Sequence, residues 1–196
     1  MTFQPPPGDT PPPPPPSQWG PPPGGGPAKF DPKTVNNLDW GILGIGALLF
    51  IFSFFGYYTW DFPSYHVGGV SVGGGSVSYS AWHTSGGTWL AWFAMIIGVL
   101  AAVVVALELF MPQLKFPLPS RLLALAMFAF SFLLYVIAIF AHDDFGPDGG
   151  HGFSFWLSLI LAAGGAVLSL MRLQQTGGTL PGPLNSLPRI GGQPQR

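Results

Sequence analysis

The sequence contains no cysteine and few charged residues. Seven basic and eight acidic side chains make up 8% of its 196 residues, whereas a typical soluble domain carries about 25% charged residues. This scarcity excludes a fold that covers its surface with charge in water. The absence of cysteine excludes disulfide bonds, so any ordered loop must be held by packing and hydrogen bonds.

Aspartate, glutamate, lysine, arginine and histidine are also missing from four long apolar stretches, Trp40–Trp60, Thr88–Leu107, Leu122–Ala141 and Phe153–Met171. Each stretch is close to the roughly 20 helical residues, at about 1.5 Å per residue, that cross a hydrocarbon core. We therefore predict an all-α membrane protein, a four-transmembrane-helix bundle with helices at about 38–60, 88–111, 121–141 and 153–173.

Basic residues are absent from two of the connecting segments, 61–87 and 142–152. All seven fall in the two tails or between the second and third stretches: Lys29, Lys33, Lys115, Arg121, Arg172, Arg189 and Arg196. Because positively charged flanks stay cytoplasmic, we predict a multi-pass protein of the cell membrane with both termini in the cytoplasm.

Both tails are rich in proline and glycine. Residues 1–36 include the run Pro11–Pro16, and residues 174–196 are also punctuated by glycine and proline. Such a composition cannot bury a core, so we predict disordered cytoplasmic tails flanking a membrane domain at 37–173. The N-terminal tail is either a solvated tether or a polyproline ligand, with Trp19, for an aromatic groove on a cytoplasmic partner.

The first outer segment has a β-hairpin pattern. Val70–Val72 and Val77–Tyr79 alternate apolar and polar residues on either side of Gly73–Ser76, where glycine supplies the positive φ angles of a turn. An irregular glycine and serine loop is the alternative. Because an isolated hairpin is marginal in water, we expect it to lie on the helix ends or against another copy, with Trp82 in the contact.

Histidines occur only in the two outer segments. They are His66 and His83 in the first, and His142 and His151 around three aspartates in the second, Asp143, Asp144 and Asp148. The spacing matches neither a zinc site nor a calcium-binding EF-hand loop. A solvated, turn-forming loop explains these residues better, so we predict no metal site and no cofactor.

Two carboxylates approach the predicted membrane spans. Asp39 falls in the first turn of the first helix, where its charge favours the helix dipole, and Glu108 falls at the end of the second, where it opposes the dipole. Glu108 should therefore pair with Lys115, Arg121 or Arg172, or be protonated. The central turns lack ionisable groups, which makes a secondary transporter improbable on composition.

Small residues recur every four positions in two of the helices. They are Ala94, Gly98, Ala102 and Ala106 in the second, and Ser154, Ser158, Ala162 and Ala166 in the fourth. Small residues let helix backbones approach closely in lipid. The stripes serve either the chain's own bundle or association with a second copy or another membrane protein. The third helix is bulkier, so we expect it to face lipid more fully.

Motifs of catalysis and nucleic-acid binding are missing. The sequence has no nucleophile elbow, no His-Glu-x-x-His and no phosphate loop with lysine. Its basic residues are scattered and its net charge is -1, which does not suit nucleic acid. We predict that the protein is not an enzyme, with no catalytic residues and with the lipid bilayer as its surroundings.

Four segments of the first half of the chain form a recognisable set: Leu38–Ile42, Phe52–Tyr58, Ser80–His83 and Ala106–Phe110. Together they resemble a family of uncharacterised four-helix membrane proteins of actinobacteria. The resemblance implies a plasma-membrane location and a Pro/Gly-rich cytoplasmic tail, and implies no activity. We predict a non-catalytic accessory or scaffolding role in a cell-envelope complex, with a small channel or transport subunit as the alternative.

Overall fold

The computed structural model describes residues 32–84, 88–111, 113–114, 118–141 and 149–176. The predicted disorder of residues 1–31 and 177–196 lies outside this part of the chain. Residues 32–36, predicted to belong to the N-terminal tail, include a short 3-10 turn at Pro32–Thr34. Asn36 then caps the first helix, because its side-chain oxygen accepts a hydrogen bond of 2.8 Å from the Leu38 amide.

The described chain is mostly helical, with a small sheet at one end. Helix α1 spans Asn37–Phe52, α2 Trp89–Phe110, α3 Ser120–Phe140 and α4 Phe153–Gln175. Among the described residues, α2, α3 and α4 are long and apolar enough to cross a membrane, whereas α1 is apolar but has only 16 residues. The structure thus bears out a helical protein with membrane-length helices.

Helix α1 ends about eight residues earlier than predicted. The prediction of a helix through residue 60 is wrong because the chain leaves the helix at Ser53, whose hydroxyl donates to the Phe50 carbonyl at 2.6 Å. The aromatic and β-branched residues from Tyr58 to Trp60 then form a strand instead. At about 1.5 Å per residue, α1 is about 24 Å long.

The four helices pack in a ring in which each helix contacts the next. Helix α1 lies against α2 and α4, and α3 lies against the same two helices from the other side. Buried side chains fill the interior, while large apolar side chains such as Phe50, Leu100, Leu133 and Ile160 are exposed on the outside. An outer surface of this kind suits hydrocarbon and not water.

Helix α3 contributes two of its aromatic rings to the interior. Phe128 and Tyr135 are fully buried, whereas Phe130, Leu133 and Phe140 are exposed. We expected this bulky helix to face lipid more fully, but two of its large rings are buried against the other helices. Phe128 fits because Gly165 of α4 has no side chain: a Cβ there would lie 2.5 Å from the Phe128 ring.

Three antiparallel strands form the sheet, in the order β2-β1-β3. Strand β1 spans Tyr58–Val67, β2 Val70–Tyr79 and β3 Gly149–His151. The predicted hairpin is present, but its turn is Gly68-Gly69 and not Gly73–Ser76. Both turn glycines have positive φ, +60° and +81°, as a two-residue hairpin turn requires. This shorter turn gives two ten-residue strands and brings Tyr58 opposite Tyr79.

The base of the sheet is fastened to the helix ends by backbone hydrogen bonds. The Tyr57 amide donates to the Tyr79 carbonyl, and the Gly152 amide donates to the Tyr57 carbonyl, both at 2.7 Å. Trp82 stacks on Phe54 and donates from its indole to the Ser53 hydroxyl at 3.0 Å. The predicted contact of Trp82 is therefore with the chain's own helix end. Strand β3 covers β1 only from Tyr58 to Trp60, so the rest of the hairpin extends beyond the fastened base.

Candidate functional site

Four charged side chains, one from each helix, meet at the end of the bundle opposite the sheet. Asp39 of α1 accepts hydrogen bonds on Oδ2 from Arg121 Nη2 of α3 at 3.2 Å and from Arg172 Nε of α4 at 3.1 Å. Glu108 of α2 lies 3.0 Å from Arg121 Nη1 and accepts a hydrogen bond from the Ser120 hydroxyl. We call this group the charge cluster and this end of the bundle the charged end.

The positions of these charges in their helices explain the pairing. Asp39 in the first turn of α1 and Arg172 in the last turn of α4 are both favoured by the helix dipole. Glu108 near the end of α2 and Arg121 at the start of α3 are both disfavoured. Because the disfavoured pair lies side by side, each charge offsets the other, and the cluster has no net charge.

Burial makes the cluster sensitive to the loss of Asp39 or Arg121. The Asp39 side chain is 1% exposed and that of Arg121 10%, whereas that of Glu108 is 41% exposed. Among the described residues, Asp39 Oδ1 and Arg121 Nε have no hydrogen-bond partner, so the two groups do not form a bidentate pair. Removing one partner of a buried pair leaves a desolvated charge and is strongly destabilising.

The cluster confirms one expectation and adds to another. Glu108 was expected to pair with one of three cations, and Arg121 is the cation found among the described residues; Lys115 lies outside them. Asp39 was singled out for its place in α1, but its two arginine partners were not predicted. The sequence contained part of the signal, since Asp39 and Arg172 both stand at ends of apolar helices where the dipole favours them, but it did not contain which helix ends meet.

The small-residue stripe of α2 lies where α1 and α3 come close to α2. The Ala94 carbonyl accepts a hydrogen bond from Ser131 of α3 at 2.7 Å. A Cβ on Gly98 would lie 2.8 Å from Leu49 of α1. Ala102 faces Gly46 of α1 so closely that a Cβ on Gly46 would collide with it. Ala102 and Ala106 also line an apolar groove of about 270 Å³ between α1 and α2.

The small-residue stripe of α4 faces the interior along most of its length. Ser154, Ser158 and Ala162 are buried, and Ala166 packs at the edge of the core cluster that surrounds Phe128. Ser158 accepts a hydrogen bond from the Tyr57 hydroxyl, which also lies 2.9 Å from the Tyr135 hydroxyl. The sheet end therefore contains a buried group of three hydroxyls from the turn after α1, α3 and α4.

A second buried tyrosine fixes the first strand to the segment before α2. The Tyr58 hydroxyl donates to the Thr88 carbonyl at 3.0 Å. Burial raises the pKa of Tyr58 above its ordinary value, so the hydroxyl stays protonated and able to donate at alkaline pH as well as at neutral pH. The aromatic rings of Phe155 and His151 pack nearby, with centroids 3.9 Å apart. This end of the bundle is held by rings, hydroxyls and backbone pairing.

One face of the hairpin beyond the base is apolar and exposed. The register places Tyr65 opposite Val72 and Val67 opposite Val70, and alternation puts all four side chains on the same face. They are 57–67% exposed, and we call them the hairpin patch. The opposite face near the turn carries Ser64, His66, Ser71 and Gly73, where the Ser71 hydroxyl lies 2.8 Å from His66 Nδ1. The end of the hairpin is thus apolar on one side and polar on the other.

The histidines in the described part of the chain lie apart. His66 pairs with Ser71 near the hairpin turn, His83 stacks on Tyr79 at 4.4 Å and His151 packs on Phe155. Within the described residues, no three histidine or carboxylate side chains come together in a way that could hold a metal ion. His142 and the three aspartates that follow it lie outside those residues.

The charge cluster and the hairpin patch are two features of the described residues that packing alone does not require. No known protein family and no curated protein matches the chain. Function is therefore argued from these features, which stand at opposite ends of the bundle.

Proposed function

We propose that the protein is a multi-pass membrane protein with a non-catalytic accessory or scaffolding role, in which four crossings anchor a hairpin that binds an envelope protein. Three helices have the length and composition for crossing. Helix α1 is shorter, but Phe54 and Phe55 continue its apolar surface beyond Phe52 and are each 57% exposed. With this extension, α1 is long enough to cross a bilayer that is locally thinned, an adaptation of modest cost.

The proposed orientation places the charged end in the cytoplasm. Arg121 and Arg172 belong to that end, and Lys33 lies in the 3-10 turn that comes before α1. The sheet end has no lysine or arginine in its strands. This distribution supports a cytoplasmic charged end and an outer hairpin. Both termini are then cytoplasmic, and the resemblance to actinobacterial membrane proteins implies the plasma membrane.

Single cysteines test this orientation without background because the native chain has none. Ser64→Cys lies on the exposed hairpin, and Gln113→Cys lies on the exposed segment after α2. A membrane-impermeant maleimide added to intact cells should label the first variant and leave the second unlabelled until the cells are broken. Labelling of Gln113→Cys from outside would overturn the orientation.

The hairpin patch is the observation that carries the proposed role. Its four large side chains contribute to neither core cluster of the bundle, yet they are held in fixed register by the strand pairing. Contiguous exposed apolar residues of this kind mark interaction sites. The polar reverse face, with His66 and Ser71, indicates that the partner covers one side of the hairpin only.

The rest of the architecture suits a rigid anchor. The charge cluster joins all four helices at one end, and backbone hydrogen bonds fasten the sheet at the other. A fixed base keeps the hairpin patch at a constant position relative to the membrane. Such pre-organisation lowers the ordering cost of binding a partner.

Photocrosslinking in intact cells tests the role with a matched pair of positions. A photoreactive amino acid at Val72 lies on the hairpin patch, and one at Ser71 lies on the reverse face of the same strand. The proposal predicts a discrete crosslinked protein from position 72 and none from position 71. The crosslink should be lost when Val67 and Val70 are both replaced by serine, with the variant still present in the membrane.

Two results would contradict the scaffolding role. Equal crosslinking from positions 71 and 72 would show contact without a preferred face. Ion flux in liposomes that contain only this protein would favour the channel or transport subunit instead. Within the described part of the chain, the central turns of all four helices carry no charged side chain, so no observation at present favours that alternative.

A further inference from the structure

Three aromatic side chains and a histidine surround a small cavity at the base of the hairpin. Trp60 and Phe62 of β1, Tyr79 of β2 and His83 line a space of about 230 Å³. By strand alternation, the three aromatic residues lie on the face opposite the hairpin patch. The cavity is therefore distinct from the surface that carries the proposed scaffolding role.

The walls of this aromatic cavity meet at an angle. The Trp60 and Tyr79 rings are nearly perpendicular, at 88° with centroids 5.3 Å apart, and His83 lies parallel to Tyr79 at 4.4 Å. Gly75 stands opposite Phe62 in the register, and a Cβ there would meet no atom within 4 Å. The glycine leaves open space beside the Phe62 ring, so the cavity is reachable from outside.

Backbone contacts hold the walls in place before any ligand arrives. Trp60 is in the stretch of β1 that pairs with both neighbouring strands. The Tyr79 carbonyl accepts from the Tyr57 amide at 2.7 Å. The His83 carbonyl accepts from the Thr88 hydroxyl at 2.7 Å, and its amide donates to Ser80. A cavity whose walls are fixed by the sheet has little ordering cost on binding.

The chemistry of these walls favours a cation without strong hydrogen-bonding demands. Ring faces carry negative electrostatic potential and attract cations that lie within about 6 Å of the centroid. The segment 34–114, which contains all four lining residues, has no lysine or arginine and includes Asp61 between Trp60 and Phe62. No positive side chain of this segment therefore competes for the rings.

A sugar is the other ligand class that aromatic walls serve, and this cavity suits it less. A sugar ring needs a flat platform and several fixed polar groups for its hydroxyls. Here the two largest walls are perpendicular, and the only carboxylate nearby in sequence, Asp61, alternates to the other face of β1. The corner of rings fits a compact, roughly spherical group better than a flat one.

We propose that the cavity formed by Trp60, Phe62, Tyr79 and His83 binds a quaternary ammonium group. The group would sit in the space that the four residues line, beside the contacting Trp60 and Tyr79 rings and not between them, with Phe62 closing the outer side. At about 230 Å³, the cavity is smaller than the roughly 300–1,000 Å³ of sites for drug-sized ligands. It therefore accommodates a trimethylammonium group and leaves any attached chain outside.

Calorimetric titration of the full-length protein in a maltoside detergent with tetramethylammonium chloride tests the site. We expect saturable binding, and none with ammonium chloride at the same ionic strength. Phe62→Ala should weaken binding about three- to tenfold, because one ring is removed. Tyr65→Ala is the matched control: it removes another exposed aromatic ring of β1, 65% exposed against 56% for Phe62, from the opposite face.

Three outcomes would overturn the proposal. They are the absence of saturable binding of tetramethylammonium, equal weakening by Phe62→Ala and Tyr65→Ala, and saturable binding of glucose with none of tetramethylammonium. Both side chains are exposed, so both variants should fold. Unfolding curves that match the parent protein would show that any weakening comes from the lost ring.

Reconstitution separates a lipid headgroup from a free solute as the source of the ammonium group. Phosphatidylcholine and phosphatidylethanolamine vesicles have the same net charge but differ in methylation of the headgroup nitrogen. Weaker apparent binding of tetramethylammonium in phosphatidylcholine, a difference that disappears in Phe62→Ala, would identify the headgroup as occupant. Equal binding in both vesicles would identify a free solute. Failure of this site would leave the hairpin patch and its crosslinking test unaffected.

Discussion

The two ends of the bundle are held together by different kinds of interaction. At the charged end, four point charges from four helices meet in a space where Asp39 alone accepts from two arginines. At the sheet end, backbone hydrogen bonds, rings and hydroxyls share the task among many residues. Charges concentrate the stabilisation in one residue, whereas the sheet distributes it, so the two ends should respond differently to single substitutions.

The largest expected effect is at the charged end. Asp39→Asn keeps the shape of the side chain but leaves Arg172 without its carboxylate and the largely buried Arg121 with Glu108 alone, which should lower the free energy of unfolding by about 3–5 kcal/mol. Thermal or denaturant unfolding in mild detergent measures this change. Glu108→Gln is the control, since its side chain is 41% exposed and should cost at most about 1 kcal/mol. Equal losses of stability in the two variants would show that the burial of a carboxylate does not determine how much its replacement costs.

The next effect tests the tightest point of the sheet end. A Cβ on Gly152 would collide with the Gly56 carbonyl and lie 3.2 Å from the Tyr57 carbonyl carbon. Gly152→Ala should therefore destabilise the protein by about 1–3 kcal/mol, because backbone atoms cannot move aside cheaply. Gly150→Ala, two residues earlier, meets only Thr59 at 3.8 Å and should change stability far less. If Gly152→Ala leaves the free energy of unfolding unchanged, the backbone at the base of the sheet must have shifted to make room for the methyl group.

A smaller loss is expected from one buried hydroxyl. Tyr57→Phe removes the group that lies 2.9 Å from the Tyr135 hydroxyl and that donates to Ser158. The unfolding free energy should fall by about 1–2 kcal/mol. Tyr65→Phe removes an exposed hydroxyl and should have no measurable effect. If both substitutions are silent, the hydroxyl group contributes nothing to holding the sheet end.

The smallest effect should come from the outer part of the hairpin. Replacing residues 62–75 by Asn-Gly keeps the strand pairs at the base and supplies a favoured two-residue turn. The removed side chains are exposed, so the unfolding free energy should change by less than about 0.5 kcal/mol. The same circular dichroism or fluorescence transition measures it. A large loss would show that the hairpin supports the bundle and is not an appended arm.

The sequence predicted features that depend on a single segment better than those that depend on neighbours in space. The apolar runs gave three helices nearly to the residue, and the dipole argument gave Glu108 a cation. Residues 53–60 were misread because their apolar character fits a helix, and only pairing of Tyr58 with Tyr79 and His151 places the end of this range in a strand. The two partners of Asp39 depend on which helix ends meet, which no local pattern contains.

The hairpin shows the same limit in a different form. Glycine pairs at 68–69 and runs at 73–75 both offer positive φ angles, so local turn chemistry alone does not choose between them. The register is decided by the base, where the Tyr57 amide donates to the Tyr79 carbonyl. The hairpin patch and the aromatic cavity could not be predicted with the turn misplaced, because a register error changes which side chains are opposite one another.

The charge cluster also has a consequence for synthesis of the chain. Arg172 and Asp39 are 133 residues apart in the sequence. The Asp39 carboxylate of α1 is therefore paired with both arginines only after α4 has been synthesised and packed. A chain that stops before α4, or inserts it incorrectly, keeps Asp39 without one of its two cations. A copy in which α4 is packed therefore differs at Asp39 from one in which it is not, because only the first pairs this buried carboxylate with Arg172.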